Sequence, residues 1–166
     1  IVIKAVSIDF GHTLVKQRTN EGELLKRGVM DLAKHLKLKG YRITPDELDH
    51  VEKELRREAD RFREKTLIEI KAIDRMAALL NRLGIPVCPD EALVWESSRL
   101  IYKPLVEDMT LFQDSLNFLG TLKEEGYKLA LVSNAASDLA IREALNRLGI
   151  ARFFDAIVVS SQVGLR

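Results

Sequence analysis

IVIKAVSIDFGHTL, residues 1–14, is the stretch on which the fold turns. Residues 1–9 are β-branched and almost all apolar, which suits a short strand buried on both faces of a parallel sheet. Phe10, Gly11, His12 and Thr13 then break the pattern and leave Asp9 at the carboxyl end of the strand. Two runs of the same kind lie far downstream, Lys128–Ser133 (KLALVS) and Asp155–Ser160 (DAIVVS). A helical pattern over Asp114–Glu125, with Leu116, Leu119 and Leu122 inward and Gly126 past its end, precedes the first of these. Another over Asp138–Leu148, closed by Gly149, separates the two. Strand, helices, strand, helix, strand predicts an α/β fold with a Rossmann-like parallel sheet.

The first two strands are too far apart for a single crossover. From Glu21 the apolar period becomes helical, through Leu25, Val29, Leu32 and Leu36 to a stop at Gly40. Thr44-Pro45-Asp46-Glu47 is a capping box with proline in the first turn. Leu48, Val51, Leu55, Ala59 and Phe62 form the stripe behind it, and Ile70, Ile73, Ala77 and Leu80 a second, in one bent helix or two. A last helix covers Asp90–Tyr102, with Pro104 kinking or ending it, and Trp95 and Tyr102 are expected in the bundle core. Residues 16–108 therefore read as an inserted all-helical cap, and residues 1–15 and 109–166 as the α/β core. The Glu, Lys and Arg of residues 52–58 read as a salt-laced solvent face. LNRLGI occurs twice, at 80–85 and 145–150, in each case at a helix end; a shared way of stopping a helix explains it better than a repeat.

Composition narrows the function. The 166 residues are 46% hydrophobic, enough for a packed core, and 26 basic against 25 acidic residues leave a net charge of +1. No global field draws such a chain to nucleic acid or to a membrane surface. Cys88 is the only cysteine, which excludes an internal disulfide and a cysteine-based zinc site and fits a reducing, cytoplasmic setting. The longest run without a charged residue, Ala156–Leu165, has ten residues, half of what a membrane helix needs. The N-terminus lacks the marks of a signal peptide, and without an initiator Met the chain reads as part of a longer product.

Chemistry is expected at the carboxyl ends of the strands, where doubly wound sheets bind ligands. If the first two strands are neighbours, Asp9 converges there with Ser133 and Asn134. The plainer reading of Asp9 is a carboxylate capping a turn; the Phe and Gly that follow it, in place of a helix start, give that reading little support. Asp9-Phe10-Gly11-His12-Thr13-Leu14, after an apolar strand, resembles the first motif of the haloacid dehalogenase-like superfamily: a strand, then Asp-x-Asp-Gly-Thr and an apolar residue. Val132-Ser133-Asn134 resembles its second, a strand ending in Ser or Thr. Their order, with a helical insertion of this size between them, extends the resemblance over essentially the whole chain.

The resemblance implies that Asp9 is a carboxylate nucleophile forming a covalent aspartyl intermediate. It implies Mg²⁺ held by the Asp9 carboxylate and the Gly11 carbonyl, a phosphoryl group contacted by Ser133, and an orienting role for Asn134. Gly11, His12, Thr13 and Arg18 would border the substrate, with Lys16 and Gln17 beside them in the hinge. Three departures stand out. Gly11 replaces the second Asp, the general acid/base of the phosphatases. His12 replaces the Gly, either as a substitute proton carrier or simply as a solvent-facing side chain. The lysine and acidic-pair motifs expected after the third strand do not occur before Arg166, so the chain reads as truncated before the last core strands. The implied activity is Mg²⁺-dependent hydrolysis of a small phosphorylated metabolite. The alternatives are a 2-haloacid dehalogenase, with Arg27 or Arg42 for the substrate carboxylate, and a non-catalytic binding module on the same fold.

Overall fold

A computed structural model describes residues 3–165. In chain order the elements are β1 (Ala5–Ile8), β2 (Val15–Gln17), α1 (Glu21–Leu38), α2 (Pro45–Thr66), α3 (Ala72–Arg82), α4 (Ala92–Asp108), β3 (Met109–Leu111), α5 (Ser115–Glu124), β4 (Lys128–Ser133), α6 (Asp138–Arg147), a 3₁₀ turn (Ala151–Phe153), β5 (Ala156–Val159) and the short α7 (Ser160–Val163). β1, β4 and β5 form a parallel sheet in the order β1-β4-β5, with Ile8 opposite Leu131 and Ser133 opposite Val159. The expected α/β architecture is present, with the long all-helical segment between the first and second sheet strands.

The sheet is covered on one face only. Ile8, Leu129, Leu131 and Val159 pack with Leu119 of α5 and Ile141, Ala144 and Leu145 of α6. On the other face Ala5 and Ser7 are exposed, and Val132 and Val158 keep 46% and 38% of their surface. Burial of the strands on both faces is thus corrected: apolar composition in a strand reports compatibility with burial, and no element among the described residues supplies the second layer. Residues 1 and 2 of the expected first strand lie outside the described residues. Within α5, Leu119 is buried as expected, but Leu116 is 46% exposed.

The helices between β2 and β3 make a second core. Val29, Leu32 and Leu36 of α1 meet Leu48 and Leu55 of α2, Met76, Ala77 and Leu80 of α3, and Val94 and Ile101 of α4. The Thr44 capping box is formed on both sides, so α2 starts where the sequence says. The two stripes that follow are separate helices, divided after Thr66 by Leu67 in the left-handed region (φ 58°). Helix α4 continues through Pro104 to Asp108, so the proline does not end it. The ring removes one backbone bond, but Ile101, Leu105 and Val106 are buried on either side of it and hold the helix. Trp95 lies on an outer face of α4 at 48% exposure and is not bundle core. Glu52 departs from the salt-laced solvent face: it is buried and paired with Arg56 at 2.8 Å.

The two LNRLGI copies stop their helices identically. Gly84 and Gly149 take φ values of 79° and 71°. The N–H of Ile85 donates to Leu80 at 2.9 Å, and that of Ile150 to Leu145 at 3.1 Å. Both isoleucines then bury themselves, in the helical core and in the sheet core respectively.

Helices α1 and α4 approach most closely at Gly28. A Cβ built there would lie 2.2 Å from the Ile101 carbonyl oxygen, which belongs to rigid backbone. Gly28→Ala must force the helices apart. It is expected to lower stability by about 2 kcal/mol or more, the upper part of the overpacking range, as read from equilibrium urea denaturation.

Candidate active site

Ile8 is buried at the end of β1, and the next residue, Asp9, is exposed. One carboxylate oxygen of Asp9 accepts a hydrogen bond from the Thr13 hydroxyl at 2.9 Å. The intervening loop is tightly wound. Leu14 and Val15 N–H both donate to the Phe10 carbonyl, and His12 N–H donates to Val15. Phe10 is 1% exposed and anchors the loop in the sheet core. His12 sits at φ 60°, a left-handed conformation that a glycine takes without cost. This explains physically why a Gly suits the position, and the His12 side chain is turned out to solvent.

Ser133, 7% exposed, ends β4 beside β1, and Asn134 follows in the open. Gly11, His12, Ser133 and Asn134 line one cleft of about 250 Å³, together with Lys16, Gln17, Glu21, Leu105, Met109 and Ile141. Asp9 precedes the first of these wall residues by two positions. The structure therefore brings Gly11, His12, Ser133 and Asn134 to one cleft, while Asp9, Thr13 and Arg18 are not among the residues that line it. The Arg18 guanidinium lies 4.0 Å from Asp108, outside the cleft, and Lys16 is the cation in the wall, its ammonium 5.5 Å from the centre of the Phe112 ring. A larger cavity of about 690 Å³ lies between α1, α4 and α6, but none of the strand-end residues line it.

The donor set for a metal is hard and small. The bridge between Gly11 and Val15 uses the Phe10 carbonyl and the His12 N–H, so the Gly11 carbonyl accepts no backbone bond among the described residues. With the second Asp9 oxygen it offers two oxygen ligands. No cluster of three or more His, Cys, Asp or Glu surrounds them among the described residues. One carboxylate and one carbonyl suit Mg²⁺, which keeps several waters and commonly shares substrate phosphate oxygens.

Beneath the cleft the chain passes twice between the sheet layer and the helices. β2 and β3 pair antiparallel, with Gln17 opposite Met109. The Asp108 carboxylate ties the two passages together, accepting from Arg18 N–H at 2.7 Å, Thr19 N–H at 2.9 Å and the Thr19 hydroxyl at 3.0 Å. Asp108, Glu69 and Ser160 were not visible as site residues in the sequence. Asp108 meets partners 89 and 90 positions away, which no local pattern reveals. Glu69 did leave a trace, a single charge within the apolar run Leu67–Ile70.

A family model for haloacid dehalogenase-like hydrolases matches residues 3–166. The chain belongs to the haloacid dehalogenase-like hydrolases. Among solved structures it is similar to the 2-haloacid dehalogenase from Pseudomonas syringae pv. tomato DC3000, with a TM-score of 0.62 and 19% identity, over 99% of this chain and 66% of that one. It is also similar to the HAD phosphatase from Thermococcus onnurineus, with a TM-score of 0.54 and 18% identity, over 97% of this chain and 64% of that one. Both likenesses are of fold alone, and the chain spans about two thirds of the length of these hydrolases. No curated protein matches the sequence.

The bonds from Thr19 and Arg18 hold the Asp108 carboxyl below its ordinary value. A group whose folded pKa is lowered contributes stability above its unfolded pKa and loses it as pH falls through the folded one. Wild type should therefore exceed Asp108→Asn in stability at pH 7. That gap is expected to shrink below about pH 4, near the unperturbed aspartate value, in denaturant melts run across the acid range.

Proposed function

We propose that this protein hydrolyses a small phosphorylated metabolite by nucleophilic attack from Asp9, with Mg²⁺ as cofactor. The observation that carries the reading is the Asp9 carboxylate. It stands exposed just past the buried Ile8 at the end of β1, oriented by Thr13 and by no cation among the described residues, next to a cleft walled by Ser133 and Asn134. A carboxylate that served only to cap a turn would bond backbone N–H groups; Asp9 bonds a side-chain hydroxyl. Bound Mg²⁺ would neutralise charge on the phosphoryl oxygens, held by Asp9 and the Gly11 carbonyl.

Within this reading an Asp9 oxygen attacks phosphorus, the bond to the leaving oxygen breaks, and water then cleaves the acyl phosphate and frees Asp9. Ser133 donates a hydrogen bond from its hydroxyl to a phosphoryl oxygen, and Asn134 orients the group beside it. Lys16 faces the remaining negative charge. The segment 16–108 acts as a cap over the site and selects the substrate, and the cytoplasm is the proposed setting. A dehalogenase is less well supported. Arg27 is paired with Glu23 on an exposed face of α1, Arg42 is exposed after that helix, and neither lines the cleft.

Asp9→Asn keeps the shape and the acceptor for Thr13 while removing the nucleophile. It should abolish turnover of p-nitrophenyl phosphate and the ¹⁹F signal of a beryllofluoride adduct in Mg²⁺ buffer. Its stability should stay within about 0.5 kcal/mol of wild type, as for exposed changes generally. An active variant, or an adduct that survives the change, would refute the nucleophile assignment.

Gly11 leaves the leaving oxygen without a carboxylic acid. A Cβ at Gly11 meets nothing within 4 Å, and its backbone is not left-handed, so an aspartate fits there without strain. Gly11→Asp is expected to raise phosphatase turnover by at least about tenfold, a modest share of what general acid catalysis supplies. An unchanged rate in steady-state assays would show that another group already moves the proton.

A further inference from the structure

Glu69 lies in the segment between α2 and α3, and its side chain has no exposed surface. On one side it accepts from the Arg63 guanidinium at 3.0 Å, itself only 12% exposed. On the other, its second oxygen lies 2.8 Å from the Ser160 hydroxyl, just past β5. The same Ser160 oxygen accepts the Ala135 N–H at 2.9 Å, with the Ala135 carbonyl at 3.2 Å. A hydroxyl has one proton, and the carboxylate is both nearer and the stronger acceptor. The chain of bonds therefore runs from Ala135 N–H through Ser160 to Glu69 and on to Arg63.

Ala135 is the next residue after Ser133 and Asn134. Two backbone bonds accompany the relay: Ala72 N–H donates to the Ala136 carbonyl at 2.7 Å, and Glu69 N–H to that of Gly164 at 3.0 Å. The first residue of α3 thus holds the loop that follows β4, and Glu69 holds both ends of α7. Packing alone does not call for a carboxylate at this point, since burying a charge is costly unless it is compensated on all sides. Here Arg63 and Ser160 compensate it from opposite directions.

We propose that Glu69 is a positioning residue, transmitting the seating of the helical segment through Ser160 to the loop that carries Asn134 and follows Ser133 at the end of β4. Only the catalytic consequence rests on the proposed phosphatase reading; the mechanical coupling stands on the geometry whatever reaction the cleft performs.

Amide hydrogen exchange on residues 1–166 tests the coupling without reference to turnover. Glu69→Gln should accelerate exchange at Ala135 about tenfold or more, the equivalent of a lost bond to a charged group. The amides of Leu131 and Leu145 should keep their wild-type rates. Ser160→Ala leaves no buried charge unpaired and keeps the test decisive should Glu69→Gln fail to fold. It should accelerate Ala72, in the helical segment, as well as Ala135. Ser160→Thr retains the hydroxyl and should restore protection at both. Adding Glu69→Gln to Ser160→Ala should accelerate Ala135 no further. Acceleration spread evenly to Leu131 and Leu145, a Ser160→Ala effect that stops at Ala135, or additive effects in the double variant would overturn the proposal. A turnover that survives Asp9→Asn would sink the phosphatase reading and leave these exchange rates to be judged by themselves.

Discussion

The Asp108 carboxylate meets the chain at the two places where it passes between the sheet layer and the helices. One side chain accepts three hydrogen bonds from Arg18 and Thr19, and the β2–β3 ribbon continues the same union. The chain itself joins the helical side to the strand ends only through this point. The Val15 end of the ribbon is bonded directly to the Phe10 carbonyl, one residue from Asp9. The attachment of the helices and the conformation of the Asp9 loop are therefore both tied to one short stretch of backbone.

A second set of contacts closes the opposite side. Glu69 reaches Ser160 and Gly164, Ala72 at the start of α3 reaches Ala136, and Arg99 of α4 pairs with Glu143 of α6. The cleft lies between a covalent attachment at the ribbon and non-covalent attachments at the loops. Motion that opens it has to break the second kind and bend the first. The buried Glu69 contact contributes less to stability than to fixing one arrangement, because desolvation offsets most of its attraction.

What could be read in advance follows from the range of the interactions. Strand-forming runs, the Thr44 capping box and the two glycine stops at Gly84 and Gly149 are local, and each stands where its residues put it. The strand-end grouping of Gly11, His12, Ser133 and Asn134 was legible because parallel neighbours bring their carboxyl ends together whatever separates them in sequence. Pro104 does not end α4 because tertiary packing outweighs one missing bond, and Trp95 misled because an aromatic at helical spacing carries no sign of which face it takes. Arg18 showed a charge near the cleft but not its partner, Asp108, ninety positions on. Glu69 to Ser160, 91 positions apart, was hidden for the same reason.

The ribbon also bears on how such a protein can vary. The chain leaves the sheet layer at Gln17 and returns at Met109 directly across from it, one interstrand spacing away, about 5 Å. The two ends of the intervening helical segment are thus fixed as neighbours by bonds that the segment does not supply. Its length, helix count and sequence can change without altering the distance the core has to span, and a tight turn could join the same two strands in its absence. The α/β layer and the helices can in this respect diverge at separate rates, with the layer conserving the strand ends while the inserted helices are exchanged around them.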